Sequence, residues 1–162
     1  MKYFLSLGSN VGDRIKNLKR AIELLKERNV EIIKSSSIYY TQPVDYLNQR
    51  WFYNLAIEVI TELKPLQLLK SIKVIEKEMG RKCYVEKGPR IIDIDILLAE
   101  NMVVNTSKLT IPHPRMHLRN FVLIPLAEIS PDAFHPVLKE KVKELLAKSK
   151  DNSTVEKMGA QF

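Results

Sequence analysis

Apolar residues are spaced along this chain in two ways, one typical of helices and the other typical of strands. In the first helical segment they recur every three or four residues, as at Leu18, Ile22 and Leu25, and Asp13 suits the first turn. Other segments are rich in β-branched and aromatic residues, which favour strands. The predicted strands cover residues 2–7, 30–40, 52–60 and 91–98, and the predicted helices cover residues 13–28 and 65–80.

The remaining segments extend this pattern at its C-terminal end. A turn at Glu100 and Asn101 is predicted to lead into a short partner strand over residues 102–105. A helix is predicted after "IPHPRMHLRNFV", with Pro125 either kinking it or lying near its start. The order βαββαβ is that of an α+β, ferredoxin-like sandwich, in which helices pack on one side of a mainly antiparallel sheet. Without a repeat or linker, residues 1–162 predict a single domain with a C-terminal extension.

Composition constrains the class of protein without indicating a function. Apolar residues make up 45% of the chain and charged residues 28%, as in ordinary soluble globular proteins. No apolar run approaches the ~20 residues that span a bilayer, so no membrane association is expected. The single cysteine, Cys83, excludes an internal disulfide and a cysteine-based zinc site. This cysteine usage fits a reducing compartment, and we therefore expect a cytoplasmic protein.

The net charge of +7 has two interpretations. It could serve an anionic partner, such as a nucleotide, a nucleic acid or a membrane surface. It could equally be a solvated, lysine-rich surface, since many lysines fall in a predicted C-terminal helix: Lys139, Lys141, Lys143, Lys148 and Lys150. Charge alone does not decide between them.

The segment "GPRIIDIDILLAE" places two acids inside an apolar run. Residues two apart on a strand face the same side, so Asp93 and Asp95 share one face, roughly 6–7 Å apart along the backbone, and the isoleucines between and beside them share the other. Two carboxylates this close repel each other unless positive charge lies between them. Arg90 could supply it, but Mg²⁺ is the better candidate because it binds carboxylates together with substrate phosphates. A solvent-exposed strand face with two harmless acids is the alternative.

The flanking sequence favours the metal site. "GPR" precedes the strand and "IPHPR" follows the next hairpin, so Arg90, His113 and Arg115 lie in segments that flank the same element. Paired carboxylates with guanidinium and imidazole groups around them suit phosphoryl transfer, in which metal ions and cations neutralise phosphate oxygens.

These motifs, taken in order, resemble one enzyme family. "GPRIIDIDIL", "LTIPHPRMHLRNFVLIPLAEI", "SLGSNVGDR", "SSIYYTQPV" and "FYNLAIEV" are similar to segments of the 6-hydroxymethyl-7,8-dihydropterin pyrophosphokinases of folate biosynthesis, over residues 2 to 138. The resemblance implies transfer of pyrophosphate from ATP to the hydroxymethyl group of 6-hydroxymethyl-7,8-dihydropterin, leaving AMP. The chain has no Gly-rich loop ending in Lys-Ser or Lys-Thr, and the family does not require one.

By the same resemblance, one set of residues serves ATP and its metal ions. Asp93 and Asp95 are expected to hold two Mg²⁺ ions and, with Arg90 and Arg81, to be catalytic. The positions that match ATP-binding residues of the family are Lys73, Glu76, Arg81, Arg90, His113 and Arg119. In the loop over residues 81–88, Lys87 stands where a family member has tryptophan. It therefore stays open which basic residue of that loop, Arg81, Lys82 or Lys87, reaches the phosphates.

A second set matches the pterin-binding residues of the family. Phe52 and Phe121 are expected to sandwich the pterin ring, and the Asn54 amide to read its donor–acceptor edge. Thr41 and Val44 match loop positions that contact the pterin. Core packing is the alternative role for the two phenylalanines.

Two other classes of protein are compatible with the predicted fold. A nucleic-acid-binding module of this fold would place basic and aromatic residues on its sheet face, where Asp93 and Asp95 would repel a phosphate backbone. A non-catalytic ligand-binding domain would need no paired acids. We therefore expect no nucleic-acid partner, and the sequence does not indicate protein partners.

Overall fold

The computed structural model describes residues 1–80 and 88–162. Its helices are α1 (Arg14–Glu27), α2 (Pro65–Glu78), α3 (Asn120–Ile129) and α4 (Val142–Lys148), and a 3₁₀ turn covers Met116–Leu118. Its strands are β1 (Lys2–Ser9), β2 (Glu31–Ser35), β3 (Ser37–Thr41), β4 (Phe52–Ile60), β5 (Asp93–Ala99), β6 (Val104–Asn105), β7 (Thr110–Ile111), β8 (Phe134–His135), β9 (Glu140–Lys141) and β10 (Val155–Gln161). None of the helices in these ranges has the length and apolar character required to cross a membrane.

The main sheet has the strand order β10-β3-β4-β1-β5, with antiparallel neighbours, and β2 pairs with β4 beside β3. The βαββαβ order and the antiparallel sheet confirm the predicted α+β, ferredoxin-like fold. The strand predicted over residues 30–40 is interrupted at Ser36. There the Ser36 hydroxyl, 2.9 Å away, accepts the hydrogen bond of the Ala56 backbone N–H, so a side chain replaces one rung of the ladder.

Helices pack on both faces of the sheet, although one face is covered only in part. Strand alternation sends Tyr3, Leu5 and Leu7 into a core under α1 and α2. The side chains of Phe4 and Ala56 point to the opposite face and pack with α3 and α4. The prediction of helices on one side therefore holds for α1 and α2, while α3 and α4 cover part of the other face. The end of that face beyond α3 stays open, and the candidate site lies there.

Two predictions of local structure were wrong, and one strand was not predicted. Residues 102–105 do not form a partner strand of β5: only an isolated bridge joins Ala99 to Met102, and β6 pairs with β7. Asn101 has a positive φ of 55°, which makes a tight turn that leads the chain away from β5. The C-terminal helix is short, so that Lys139, Lys141 and Lys150 lie outside it. The chain after α4 then forms β10, which the sequence pattern did not predict.

Candidate active site

A cavity of about 440 Å3 opens at the uncovered end of the sheet, where β3 ends and β4 and β5 begin. It brings together the predicted residues Thr41, Val44, Phe52, Asn54, Lys73, Arg90, Asp93, Asp95, His113, Arg119 and Phe121. Glu76 is near but does not line it. Arg81 lies outside the described residues, as do Lys82 and Lys87. The sequence did not single out Gln42, Asp45 and Gln49, which also line the cavity.

The carboxylate pair occupies one face at the start of β5. Ile94 is buried in the core on the opposite face, as the alternation predicts. Asp93 Oδ2 lies 3.5 Å from Arg90 Nη1. Burial, together with the negative charges of Asp93 and Glu76, raises the pKa of Asp95 to about 7, against the opposing effect of Arg119 and Lys73. The charged form of Asp95 is thus disfavoured in spite of these two neighbouring cations.

This arrangement fits a hard divalent cation. A cation between the carboxylates would supply the missing positive charge, and carboxylate oxygens are the ligands that Mg²⁺ prefers. No group of three or more His, Cys, Asp or Glu ligands occurs in residues 1–80 and 88–162. Because Mg²⁺ prefers octahedral coordination, an ion held by Asp93 and Asp95 would have positions left for water and for substrate phosphates.

Glu76 supports the pair from beneath the strand. It is 2% exposed, and its Oε2 accepts a hydrogen bond of 3.1 Å from the backbone N–H of Ile94, which lies between the two aspartates. The Oε1 atom accepts a hydrogen bond of 3.2 Å from Lys73 Nζ. Because β5 is an edge strand, this carboxylate satisfies a backbone group that no neighbouring strand reaches. The predicted contact of Glu76 with ATP stays a prediction.

Cationic and neutral donors face the carboxylates across the cavity. Arg90 Nε is buried and has no hydrogen-bond partner within the described part of the chain. Arg119 Nη2 donates to Asp45 Oδ2 over 3.1 Å. Burial and the Arg119 charge lower the pKa of His113 to about 4, so its ring is neutral at pH 7. Since His113 Nδ1 accepts from the Arg115 backbone N–H, we assign the ring proton to Nε2, which can donate to an anion.

An aromatic and amide surface forms the other end of the cavity. Phe52 and Phe121 line it, and the Asn54 side chain, 4% exposed, donates from Nδ2 to Thr41 Oγ1 over 2.5 Å. Gly8 is the cross-strand partner of Asn54, and a Cβ atom there would lie 2.3 Å from Asn54 Oδ1. No role in positioning Asn54 was predicted for Gly8 from the sequence. A glycine within a strand pattern was the available signal, because it often marks such a close approach.

Asn10 links the two ends of the site. It is 1% exposed, and its Oδ1 accepts a hydrogen bond of 2.8 Å from the Arg90 backbone N–H. Its Nδ2 donates to Gln49 Oε1 and to the Arg50 carbonyl, both over 2.9 Å. These bonds join the end of β1 to the β3–β4 loop (residues 42–51) and to Arg90. Sequence analysis missed this linking role because its partners are distant along the chain.

Comparison with known proteins identifies the family of this chain. A family profile described as 7,8-dihydro-6-hydroxymethylpterin-pyrophosphokinase (HPPK) matches residues 4–131. The chain is 45% identical over 141 residues to the 2-amino-4-hydroxy-6-hydroxymethyldihydropteridine pyrophosphokinase of Aquifex aeolicus, a match that covers 87% of this chain and 88% of that one. It is also 45% identical to the folic acid synthesis protein fol1 of Pneumocystis carinii over 83% of this chain, but it spans only 18% of that longer protein.

Solved structures agree on the fold. A crystal structure of Plasmodium falciparum HPPK-DHPS superposes with a TM-score of 0.72 over 91% of this chain and 45% of that one, at 21% sequence identity. Likeness at that identity shows the fold, while the profile and the Aquifex relative, both of which extend over most of this chain, show the family. The alternative of a nucleic-acid-binding module is not favoured. The chain belongs to the 7,8-dihydro-6-hydroxymethylpterin-pyrophosphokinase family.

Proposed function

We propose that this chain transfers pyrophosphate from ATP to the hydroxymethyl oxygen of 6-hydroxymethyl-7,8-dihydropterin, a step of folate biosynthesis. The observation that carries the proposal is one cavity in which a carboxylate pair and cationic side chains meet an aromatic and amide surface. In the reaction, a bond forms between the hydroxymethyl oxygen and the β-phosphorus of ATP. The bond from that phosphorus to the oxygen bridging to the α-phosphorus breaks, AMP leaves, and the hydroxyl proton is released.

Asp93 and Asp95 are the proposed ligands of two Mg²⁺ ions. Bound Mg²⁺ would supply neutralisation of charge on the phosphate oxygens and a lower pKa for the accepting hydroxyl group. The uncompensated negative charge at Asp95 supports this role. Glu76 fixes the backbone between the two ligands by its bond to the Ile94 N–H, which keeps their spacing constant.

Arg90, Arg119 and His113 are the proposed phosphate ligands. The unpartnered Arg90 Nε supports this role, because a buried guanidinium N–H without an acceptor is unfavourable until an anion binds. Neutral His113 would donate from Nε2 without adding charge. Lys73 lines the same part of the cavity. Contacts of Arg81 with ATP and its catalytic role remain part of the proposal, and that residue lies outside the described ranges.

Phe52, Phe121 and Asn54 are the proposed pterin ligands. Two aromatic faces hold a flat bicyclic ring by stacking, and an amide offers both a donor and an acceptor to its pyrimidinone edge. The existing bond from Asn54 Nδ2 to Thr41 Oγ1 fixes the orientation of that amide. Thr41 and Val44 complete this end of the cavity.

The chain is proposed to act as one domain over residues 1–162, in the cytoplasm. The C-terminal strand β10 supports the single domain, because it pairs with β3 in the sheet that β1 also shares. Asp151 adds a second link, since its carboxylate accepts from the Asn120 backbone N–H over 2.8 Å at the start of α3.

A ³¹P NMR time course with ATP, MgCl₂ and 6-hydroxymethyl-7,8-dihydropterin tests the reaction. We expect AMP and a pterin diphosphate to form only when all three are present. Asp95→Ala should abolish turnover while circular dichroism shows a folded protein. Asp132→Asn is the matched control, because Asp132 is an exposed carboxylate in an ion pair with Lys143, outside this cavity. Formation of ADP in place of AMP would refute pyrophosphate transfer.

A further inference from the structure

The β3–β4 loop carries a carboxylate into the phosphate-binding part of the cavity. Asp45 Oδ2 accepts from Arg119 Nη2 over 3.1 Å, although the two residues are distant in the sequence. The Arg119 side chain is 16% exposed and the Asp45 side chain 36% exposed. The pair therefore lies at the mouth of the cavity and not on the open surface.

Arg119 is held in place from another side. It directly precedes α3, and its guanidinium lies 5.7 Å from the centre of the Phe121 ring. The loop is fixed at its other end, where Gln49 and Arg50 accept from Asn10. The ion pair between Asp45 and Arg119 thus fastens the first half of the loop across the cavity to α3.

A carboxylate and a phosphate bind a guanidinium in the same way. Both present two oxygens to its planar donors, and both gain from its positive charge. A phosphate that approaches Arg119 therefore meets a donor already engaged by Asp45 and is repelled by the negative charge of that side chain. A phosphate contact through Arg119 Nη2 therefore requires Asp45 to move aside.

We propose that Asp45 sets the affinity for ATP by competing with its phosphates for Arg119. The inference rests on the proposed function, since it requires that Arg119 binds ATP.

The expected effect is moderate because the ion pair is partly exposed. Pairs of this kind alter equilibria by about two- to fivefold at low salt. The effect should shrink as ionic strength rises, since salt screens charges at the mouth of a cavity.

Calorimetric titration with an ATP analogue that carries a methylene group between its α- and β-phosphates tests the proposal, since that bond cannot be cleaved. In the presence of MgCl₂ and low salt, Asp45→Asn is expected to lower the Kd of the analogue about two- to fivefold relative to wild type. Asp132→Asn, which removes an exposed carboxylate elsewhere, should leave the Kd unchanged. An unchanged or higher Kd for Asp45→Asn would overturn the proposal, and a higher value would mean that Asp45 orients Arg119 for phosphate.

A double-mutant cycle separates competition from a general field effect. In an Arg119→Gln background, Asp45→Asn should no longer alter the Kd, because the contested donor is gone. A decrease of the same size in both backgrounds would show only loss of a nearby negative charge and would overturn the competition. If the wild-type protein does not bind the analogue, the proposed function is refuted together with this inference. If wild type and Asp45→Asn bind it equally well, only the inference about Asp45 is refuted.

Discussion

The charge at Asp95 gives a prediction that separates its metal role from its contribution to folding. In the metal-free protein, burial and the charges of Asp93 and Glu76 raise the pKa of Asp95 from 3.8 to about 7. Asp95→Asn keeps the shape of the side chain but removes the charge. We therefore expect Asp95→Asn to abolish activity and to make the metal-free protein more stable at pH 8.

The magnitude follows from the pKa of Asp95 in the folded and unfolded states. Between these two values the folded protein holds a proton that the unfolded chain has lost, so the free energy of unfolding falls as the pH rises from about 4 to about 7. At ~1.4 kcal/mol for each pKa unit, the full difference is at most ~4 kcal/mol. Because Asp95 lines an open cavity, solvent screens part of its charge. We therefore expect about half of the full difference in the free energy of unfolding, ~2 kcal/mol.

Urea unfolding in EDTA at pH 5 and pH 8 measures this difference. The free energy of unfolding of Asp95→Asn should exceed that of wild type by ~2 kcal/mol at pH 8. At pH 5 the excess should be under ~1 kcal/mol, because wild-type Asp95 is protonated in the folded state at that pH. Magnesium with the ATP analogue should stabilise wild type at pH 8 far more than it stabilises the variant. Asp132→Asn is the control and should change stability by under ~1 kcal/mol at both pH values.

A variant less stable than wild type at pH 8 would refute the reasoning. It would mean that the Asp95 carboxylate is well compensated in the protein alone. In that case the argument for a cation at this position, which depends on uncompensated charge, would lose its support.

Three further substitutions or titrations probe other parts of the site. Gly8→Ala should weaken the binding of fluorescent 6-hydroxymethylpterin at least tenfold, because the new Cβ displaces Asn54, while calorimetry should show unchanged ATP-analogue binding. Asn10→Asp should lower kcat less than Asn10→Ala, since the aspartate still accepts from the Arg90 N–H although it no longer donates to the β3–β4 loop. For either variant, urea unfolding should show a free energy of unfolding that is lower by ~1–3 kcal/mol. The His113 ring should stay neutral from pH 8 to pH 5 in NMR titrations. Because its pKa is lower in the folded protein than in the unfolded chain, the unfolded chain takes up a proton first as the pH falls. The contribution of His113 to the free energy of unfolding should therefore be lost only between pH 6.5 and about pH 4.

Periodicity predicted the elements that form the core of the fold. The spacing of Leu18, Ile22 and Leu25 predicted α1, and these residues are buried against the sheet. The strand predicted over residues 52–60 is β4 without change. Periodicity did not predict β10, because its sequence "VEKMGAQ" has little apolar alternation. That strand forms because the edge of β3 is available to it, and such tertiary context is not present in a local pattern.

The site was predictable where chemistry lies in short motifs. Asp93, Asp95, Arg90 and His113 occur in two such motifs and meet in one cavity, although their individual roles remain proposals. The contacts of Asn10 were not predictable, because they depend on the register between β1, the β3–β4 loop and the segment before β5. Asp45 was missed for the same reason.

The acids within "RIIDIDILLA" are explained by the position of β5 at the edge of the sheet. A central strand would have neighbours on both sides, and a helix on each face would leave no room for a metal ion. At the edge, Ile94 and Ile96 fill the core under α2, while the opposite face at the start of the strand opens into the cavity. The backbone N–H of Ile94, which no neighbouring strand reaches, donates to the buried Glu76 carboxylate. The negative charge of this Glu76 carboxylate also raises the pKa of Asp95. The residue that fixes the strand therefore also makes a bound cation more favourable at Asp95.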